Sequence, residues 1–334
     1  MTRLFSSPQE RAAAPHGLVW LALGTVYVVW GSTYLGIRIT VETMPPMVSM
    51  GFRFLVAASV LALILTIRHG PGVLRVSPRN AAGAALVGLL LLTCGNGAVA
   101  VAETSVPSGL TALIVAAVPL WVVCLRAGFS DRPRAVSVAG VLVGLAGLWV
   151  LLTPARLPGG AGLGGALVIL GGTLCWANGS FWSGRLPLPA RAFVATTYEM
   201  LAGGLGSMTV GTLRGEWQTL DLQAISGSSW LALAYLVTFG SLVAFTAYVW
   251  LLNNAPISLI ATYAYVNPVV AVALGALILS EPITAPILAG GAIVVAGVAI
   301  VVTSERPGRA AARAASPDRH ASDGSEQPAA VTES

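Results

Sequence analysis

Ten runs of about twenty mostly apolar residues, each closed by strong turn formers, restrict this chain to very few folds. They cover 18–37, 47–67, 81–102, 108–125 and 136–153, then 162–182, 192–211, 230–252, 257–279 and 285–303. Between them stand breakers such as Pro45-Pro46, His69-Gly70-Pro71-Gly72, Asp131-Arg132-Pro133, Pro158-Gly159-Gly160, Asn253-Asn254 and Glu281-Pro282. A bilayer core takes roughly 20 residues of helix, because a helix satisfies its own backbone where water cannot. With 56% hydrophobic and only 9% charged residues, the chain has too little charge to cover a water-soluble globule of its length. The expectation is an all-α integral membrane protein with ten transmembrane helices. The seventh span is the weakest, since it carries Thr196, Thr197, Glu199, Ser207 and several glycines.

Arginine placement sets the orientation expected for those helices. Short positively charged loops stay on the cytoplasmic side. With the N-terminus inside, the inner segments hold 14 arginines and the outer loops three, Arg38, Arg156 and Arg214. Glu42, Glu103, Glu216, Asp221 and Glu281 fall to the outer loops in the same reading. Both termini are therefore expected in the cytoplasm of a cell whose inner or plasma membrane holds the chain. The pI of about 9.5 reports this topology and calls for no nucleic-acid partner. Residues 1–17 read as a polar cytoplasmic segment without the apolar core of a signal peptide, and 304–334 as a disordered cytoplasmic tail.

The chain is also written twice. Pro107 and Pro119 recur as Pro256 and Pro268, and Gly140, Ala146-Gly147 and Thr153 recur as Gly290, Ala296-Gly297 and Thr303. Trp30, Phe52-Arg53 and Leu55 find counterparts in Trp176, Tyr198-Glu199 and Leu201. Five crossings per copy is an odd number, so the second copy enters the membrane from the opposite side, giving two inverted repeats at 18–153 and 162–303. That is a common plan of secondary transporters, with the substrate near the midplane between halves that rock against each other.

Ionisable groups inside spans are expensive and usually face a cavity. Two lie clearly inside: Arg53 in the second span and Glu199 in the seventh, equivalent in position and opposite in sign. Arg53 suits an anionic substrate group, Glu199 an amine or a proton; structural pairing with neighbouring helices is the alternative for both. Tyr27, Trp30 and Tyr34 share one side of the first span, with Trp30 and Tyr34 taken as cavity candidates. Asn96, Trp176, Tyr263, Tyr265 and Asn267 complete the candidate set, the last three on the ninth span just before Pro268. Gly140, Gly144 and Gly147, with Gly290 and Gly297, form small-residue faces that join either the two halves or two protomers of a homodimer. Cys94, Cys124 and Cys175 read as small buried hydrophobes, without metal-like spacing. All 18 basic residues are arginine, which excludes chemistry that needs a lysine, a Walker A loop or a Schiff base among them. No cofactor is called for.

Several runs resemble a known family. Trp30-Gly31-Ser32-Thr33-Tyr34, Arg38, Pro45-Pro46 with Arg53, and Pro107-Ser108-Gly109 leading to Pro119 look like the EamA repeat of the drug/metabolite transporter superfamily. So do Tyr263-Ala264-Tyr265-Val266-Asn267-Pro268 and Glu281-Pro282-Ile283-Thr284. The surroundings of Asn96, Glu103 and Asn267-Pro268 look closest to its YedA-like inner-membrane subgroup. The resemblance implies two inverted five-helix EamA repeats and export of small metabolites such as amino acids or related compounds. The four-helix multidrug exporters of the superfamily exchange protons on a first-helix glutamate, and the first span here has none. A multidrug/proton antiporter, with proton coupling elsewhere, remains the alternative within the transporters; a scaffold or sensor is the alternative outside them. An enzyme is not expected, since His16, His69 and His320 all lie in flanking regions.

Overall fold

The computed structural model describes residues 16–129, 133–152, 163–255 and 257–304. Most of the two terminal segments, the Pro158-Gly159-Gly160 connection and Pro256 lie outside the described residues. Those residues form helices and connecting turns, with no strand among them. The long helices are α1 (His16–Val41), α2 (Pro46–His69), α3 (Pro78–Glu103), α4 (Ser108–Phe129) and α5 (Ala135–Leu152). They continue as α6 (Leu163–Ser183), α7 (Ala192–Leu213), α8 (Gly227–Leu251), α9 (Tyr263–Leu279) and α10 (Ala285–Ser304).

Eight of these are long and apolar enough to cross a membrane. The exceptions are α7, weakened by the threonines, glycines and Glu199 already noted, and α9, apolar but only 17 residues long. The ninth span was expected from residue 257, yet a turn at Ala261-Thr262 divides it into Ile257–Ile260 and α9. A matching turn at Ala116-Ala117 interrupts α4. In both places the chain tightens to bonds three residues back, such as Ala117 N to Ile114 O (3.1 Å) and Tyr265 N to Thr262 O (3.2 Å). Pro119 follows two residues after its turn and can supply no amide to it, so the helix yields there, whereas Pro268 lies six residues beyond its turn, inside the continuous α9.

Helix ends follow local chemistry. Pro46 and Pro78 occupy first-turn positions, where the missing N–H costs nothing. Ser77 caps α3 and Ser226 caps α8, each side chain accepting an amide at 3.2 Å. Both capped helices then widen into a π-helical segment, Leu89–Asn96 and Leu236–Val243, 147 residues apart. The repeat seen in the prolines and glycines is thus also present in backbone shape.

Packing is set by glycine. A Cβ on Gly297 of α10 would lie 2.4 Å from Gly144 N, and one on Gly147 of α5 would lie 2.6 Å from Val294 N, so these helices meet backbone to backbone. Gly51 of α2 and Gly204 of α7 do the same for that pair, and Gly109 of α4 lies against the backbone of Val272 in α9. The α5 and α10 glycine faces therefore join the two halves of one chain. The outward surface is apolar, with Leu142 63% and Leu277 81% exposed, as a lipid-facing exterior requires. The cysteines differ from expectation: Cys94 and Cys124 are exposed on this surface and Cys175 is half-buried, because an apolar exterior accepts a thiol as readily as a core does.

Candidate functional site

α1, α2, α8 and α9 converge around Gly240, in the π-helical segment of α8. Arg53 is the eighth residue of α2, about 10 Å along its axis at 1.5 Å per residue. Its side chain is buried; Nε donates to Ser241 Oγ at 3.0 Å and Nη1 to Met50 Sδ at 3.8 Å. The guanidinium carbon stands 4.9 Å from the centre of the Phe54 ring. No carboxylate lies within ion-pair distance of it among the described residues, where Arg214 with Glu216 forms the ion pair. A buried cation held only by a hydroxyl, a thioether and an aromatic ring has donors left for an anion.

Trp30 of α1 donates its indole N–H to the carbonyl of Gly240 at 3.3 Å. A Cβ on Gly240 would sit 3.1 Å from Thr33 and 3.2 Å from Arg53 Nη2, so glycine lets Trp30, Thr33 and Arg53 gather against one turn of α8. On the far side of Trp30 stand Tyr248 of α8 and Tyr263 of α9, with ring centres 5.1 and 5.2 Å away and 6.0 Å from each other. The three rings form an aromatic cluster joined to the guanidinium through Gly240, which Trp30 and Arg53 both approach. Asn267 is buried one turn along α9, its amide nitrogen turned toward the carbonyls of Tyr27 and Tyr263 at 3.3 Å each. Tyr27 bonds to Thr262 through their hydroxyls.

Of the residues expected at a site, Arg53, Trp30, Tyr263 and Asn267 come together here. The others lie outside it. Tyr34, one turn along α1 from Trp30, borders the site by packing against the cluster of Ile37, Phe54 and Leu236. Tyr265 packs against a separate core formed largely by α4, α5 and α10. Trp176 lies on Gly95, whose Cβ would meet the indole at 2.7 Å, and Asn96 ends the adjoining π-helical segment, half-buried. Glu199 is half-buried on α7 with its backbone against Gly88 of α3, and it makes no ion pair with Arg53. Glu199 lies where α7 meets the start of the α3 π-helical segment, whereas Arg53 meets the later part of the α8 segment at Gly240 and Ser241, and the two residues do not meet each other.

Sequence reasoning passed over Gly240, Ser241 and Tyr248. Their signal was a polar residue and a tyrosine seven apart on one side of the eighth span, a weak pattern until the π-helical turn aims both inward. It also placed Glu103, Glu216 and Glu281 in outer loops. Glu103 instead ends α3 and is fully buried, while its backbone carbonyl accepts a bond from Arg38 Nη1. Glu216 Oε2 accepts the amides of Met47 and Val48 at 2.8 and 3.0 Å, capping α2. Glu281 accepts Ser108 N at 2.7 Å, Gly109 N at 3.0 Å and Ser108 Oγ at 3.1 Å, capping α4. Each cap crosses from one half of the chain to the other.

Residues 17–153 and 163–303 each match the EamA-like transporter family. The chain belongs to that family. Over 256 residues this EamA transporter is 43% identical to the inner membrane transporter YedA of Escherichia coli K12, itself uncharacterized, spanning 76% of this chain and 80% of that one. It is 25% identical over 295 residues to a probable amino-acid metabolite efflux pump of Salmonella typhimurium, covering 86% of this chain and 95% of that protein. A crystal structure shares the fold with a TM-score of 0.59 at 22% identity, over 85% of this chain and 96% of that one. The chain is therefore a transporter of the drug/metabolite type, set in a lipid bilayer and acting on a small-molecule substrate.

Proposed function

We propose that this transporter is a secondary exporter of small metabolites that carry a carboxylate, amino acids among them, working by alternating access. The carrying observation is the buried Arg53 guanidinium, held by Ser241 without a carboxylate partner among the described residues and sharing Gly240 with Trp30, which packs on Tyr248 and Tyr263. A guanidinium takes a carboxylate through two parallel N–H bonds, and aromatic faces accept the apolar or cationic remainder of the same molecule. Asn267 sits in the same cluster as a polar member, and Tyr34, Asn96, Trp176, Tyr265 and Glu199 are assigned to the path on either side of it.

In this reading the chain crosses ten times, as two inverted five-helix repeats at 18–153 and 162–303, with 1–17 and 304–334 in the cytoplasm. The equivalent helices α2 with α7, α4 with α9 and α5 with α10 pack on one another, as a pseudo-two-fold axis between inverted halves would arrange them. The amino-acid efflux function named for the Salmonella relative supports the substrate class.

The test is counterflow in proteoliposomes against a panel of labelled amino acids, organic acids, amines and nucleosides. A carboxylate-bearing solute should exchange, and Arg53→Gln should abolish that exchange while the protein still inserts and elutes as a folded species. Exchange confined to solutes without a carboxylate, or undiminished in Arg53→Gln, refutes the assignment.

A further inference from the structure

The last turn of α3 buries an acid that the site above does not use. Glu103 is 0% exposed, and both of its carboxyl oxygens are buried without a hydrogen-bond partner among the described residues. Charged neighbours surround it without bonding to it. Arg38 of α1 gives Nη1 to the backbone carbonyl of Glu103. Glu281 spends its carboxylate on Ser108 and Gly109. Arg38, Glu281 and the Tyr34 hydroxyl lie within electrostatic reach of the buried carboxyl.

The other elements packed on this turn add no acid. Arg53 of α2 is engaged by Ser241, α6 brings Cys175 as its titratable group, the π-helical segment of α3 brings Cys94, and residues 108–115 have none. An ionised carboxylate stripped of water and of donors is heavily penalised, whereas a neutral acid in the same place is not. The segment just beyond Glu103 is the one held shut by Glu281, through Ser108 at the start of α4.

We infer that Glu103 is a proton-exchange site, loaded while the Glu281 tie holds the α3–α4 connection closed and emptied to water when the connection opens. The step is a transfer of one proton between a carboxyl oxygen and water, with no other bond made or broken. It rests on the transport reading only in what the proton is exchanged for; the site itself stands on the buried, unpartnered carboxyl.

Infrared difference spectroscopy of the purified full chain in lipid vesicles, recorded across a pH titration, tests it directly. With Glu199→Gln present in every sample, so that the other span acid is silent, and with the titration kept above the range in which exposed acids ionise, the otherwise wild-type chain should show the carbonyl stretch of a protonated carboxylic acid, shifted in deuterium oxide and lost as pH rises. Glu103→Gln should lack that band, Glu103→Asp should keep it at a displaced frequency, and Glu42→Gln, altered at an exposed acid, should keep it unchanged. A band that survives in Glu103→Gln, or no such band in the otherwise wild-type chain, overturns the assignment. A second reading uses any solute found by counterflow: the several-fold acceleration of its flux by an imposed pH gradient should fall to a ratio of one in Glu103→Gln, and an unchanged ratio overturns the coupling. If no solute exchanges even in the wild type, the transport reading fails, and the infrared result still decides where the proton sits.

Discussion

Glu281→Gln is the substitution whose consequence follows most directly from the geometry. The carboxylate accepts three donors from the first turn of α4, at 2.7, 3.0 and 3.1 Å. Gln keeps the length of the side chain but offers a single acceptor oxygen and turns an NH2 group toward backbone N–H groups. One contact survives in weakened form and the others become donor against donor. Hydrogen bonds to a charged group contribute about 1.5–3 kcal/mol each, and the positive end of a helix adds about 0.3–1 kcal/mol for a carboxylate. Water partly screens the half-buried site, so the net loss is expected at about 2–4 kcal/mol. Glu281→Ala should cost a similar amount, because it leaves the same amides unpaired. Thermal unfolding of purified protein in detergent, followed by intrinsic tryptophan fluorescence, measures this against Glu42→Gln, whose acid caps no helix. Melting of Glu281→Gln and Glu281→Ala at the wild-type temperature would refute the view that the cap ties the two halves together.

Two further outcomes follow from the packing. Gly297→Ala would put a methyl group 2.4 to 2.8 Å from backbone atoms of Gly144 and Gly140, where no side chain can turn aside, so α5 and α10 must part at an overpacking cost of about 1–3 kcal/mol. Gly171→Ala, with nothing within 4 Å, should be neutral or stabilising by up to about 1 kcal/mol, and equal melting of the two variants would contradict the interface. Ser241→Ala takes away the hydroxyl that holds Arg53 Nε at 3.0 Å and should destabilise by about 1.5–3 kcal/mol. Adding Arg53→Gln to that variant should cost much less than it does alone, and simple additivity in a double-mutant thermal cycle would sever the two residues.

Much of the fold was legible before any coordinate. Apolar length is a local property, so the helices lie close to where hydropathy put them, and the weak seventh span is the one whose composition fails the apolar requirement. The turn inside the ninth span had no signal in the sequence, because where the helix yields depends on the neighbours of Ala261-Thr262. The site was half legible. Arg53 stood out because a charge in an apolar helix is rare, and Trp30, Tyr263 and Asn267 because they lie within family-like runs. Glu103 was misplaced because it ends a span by one residue, and sequence hydropathy cannot tell a helix end that is wet from one that is covered.

What the sequence by itself determined is one-dimensional: which stretches suit lipid, where they break, that the unit is duplicated, and which residues carry charge within it. Its offsets also announced that equivalent elements exist. The tertiary structure alone decided which elements touch. Arg53 finds Ser241 across 188 residues, Glu281 finds Ser108 across 173, and the glycine faces of α5 and α10 close on each other within one chain. These pairings depend on how helices cross, which is fixed by the shapes of whole surfaces packed at van der Waals distance and is not written at any single position.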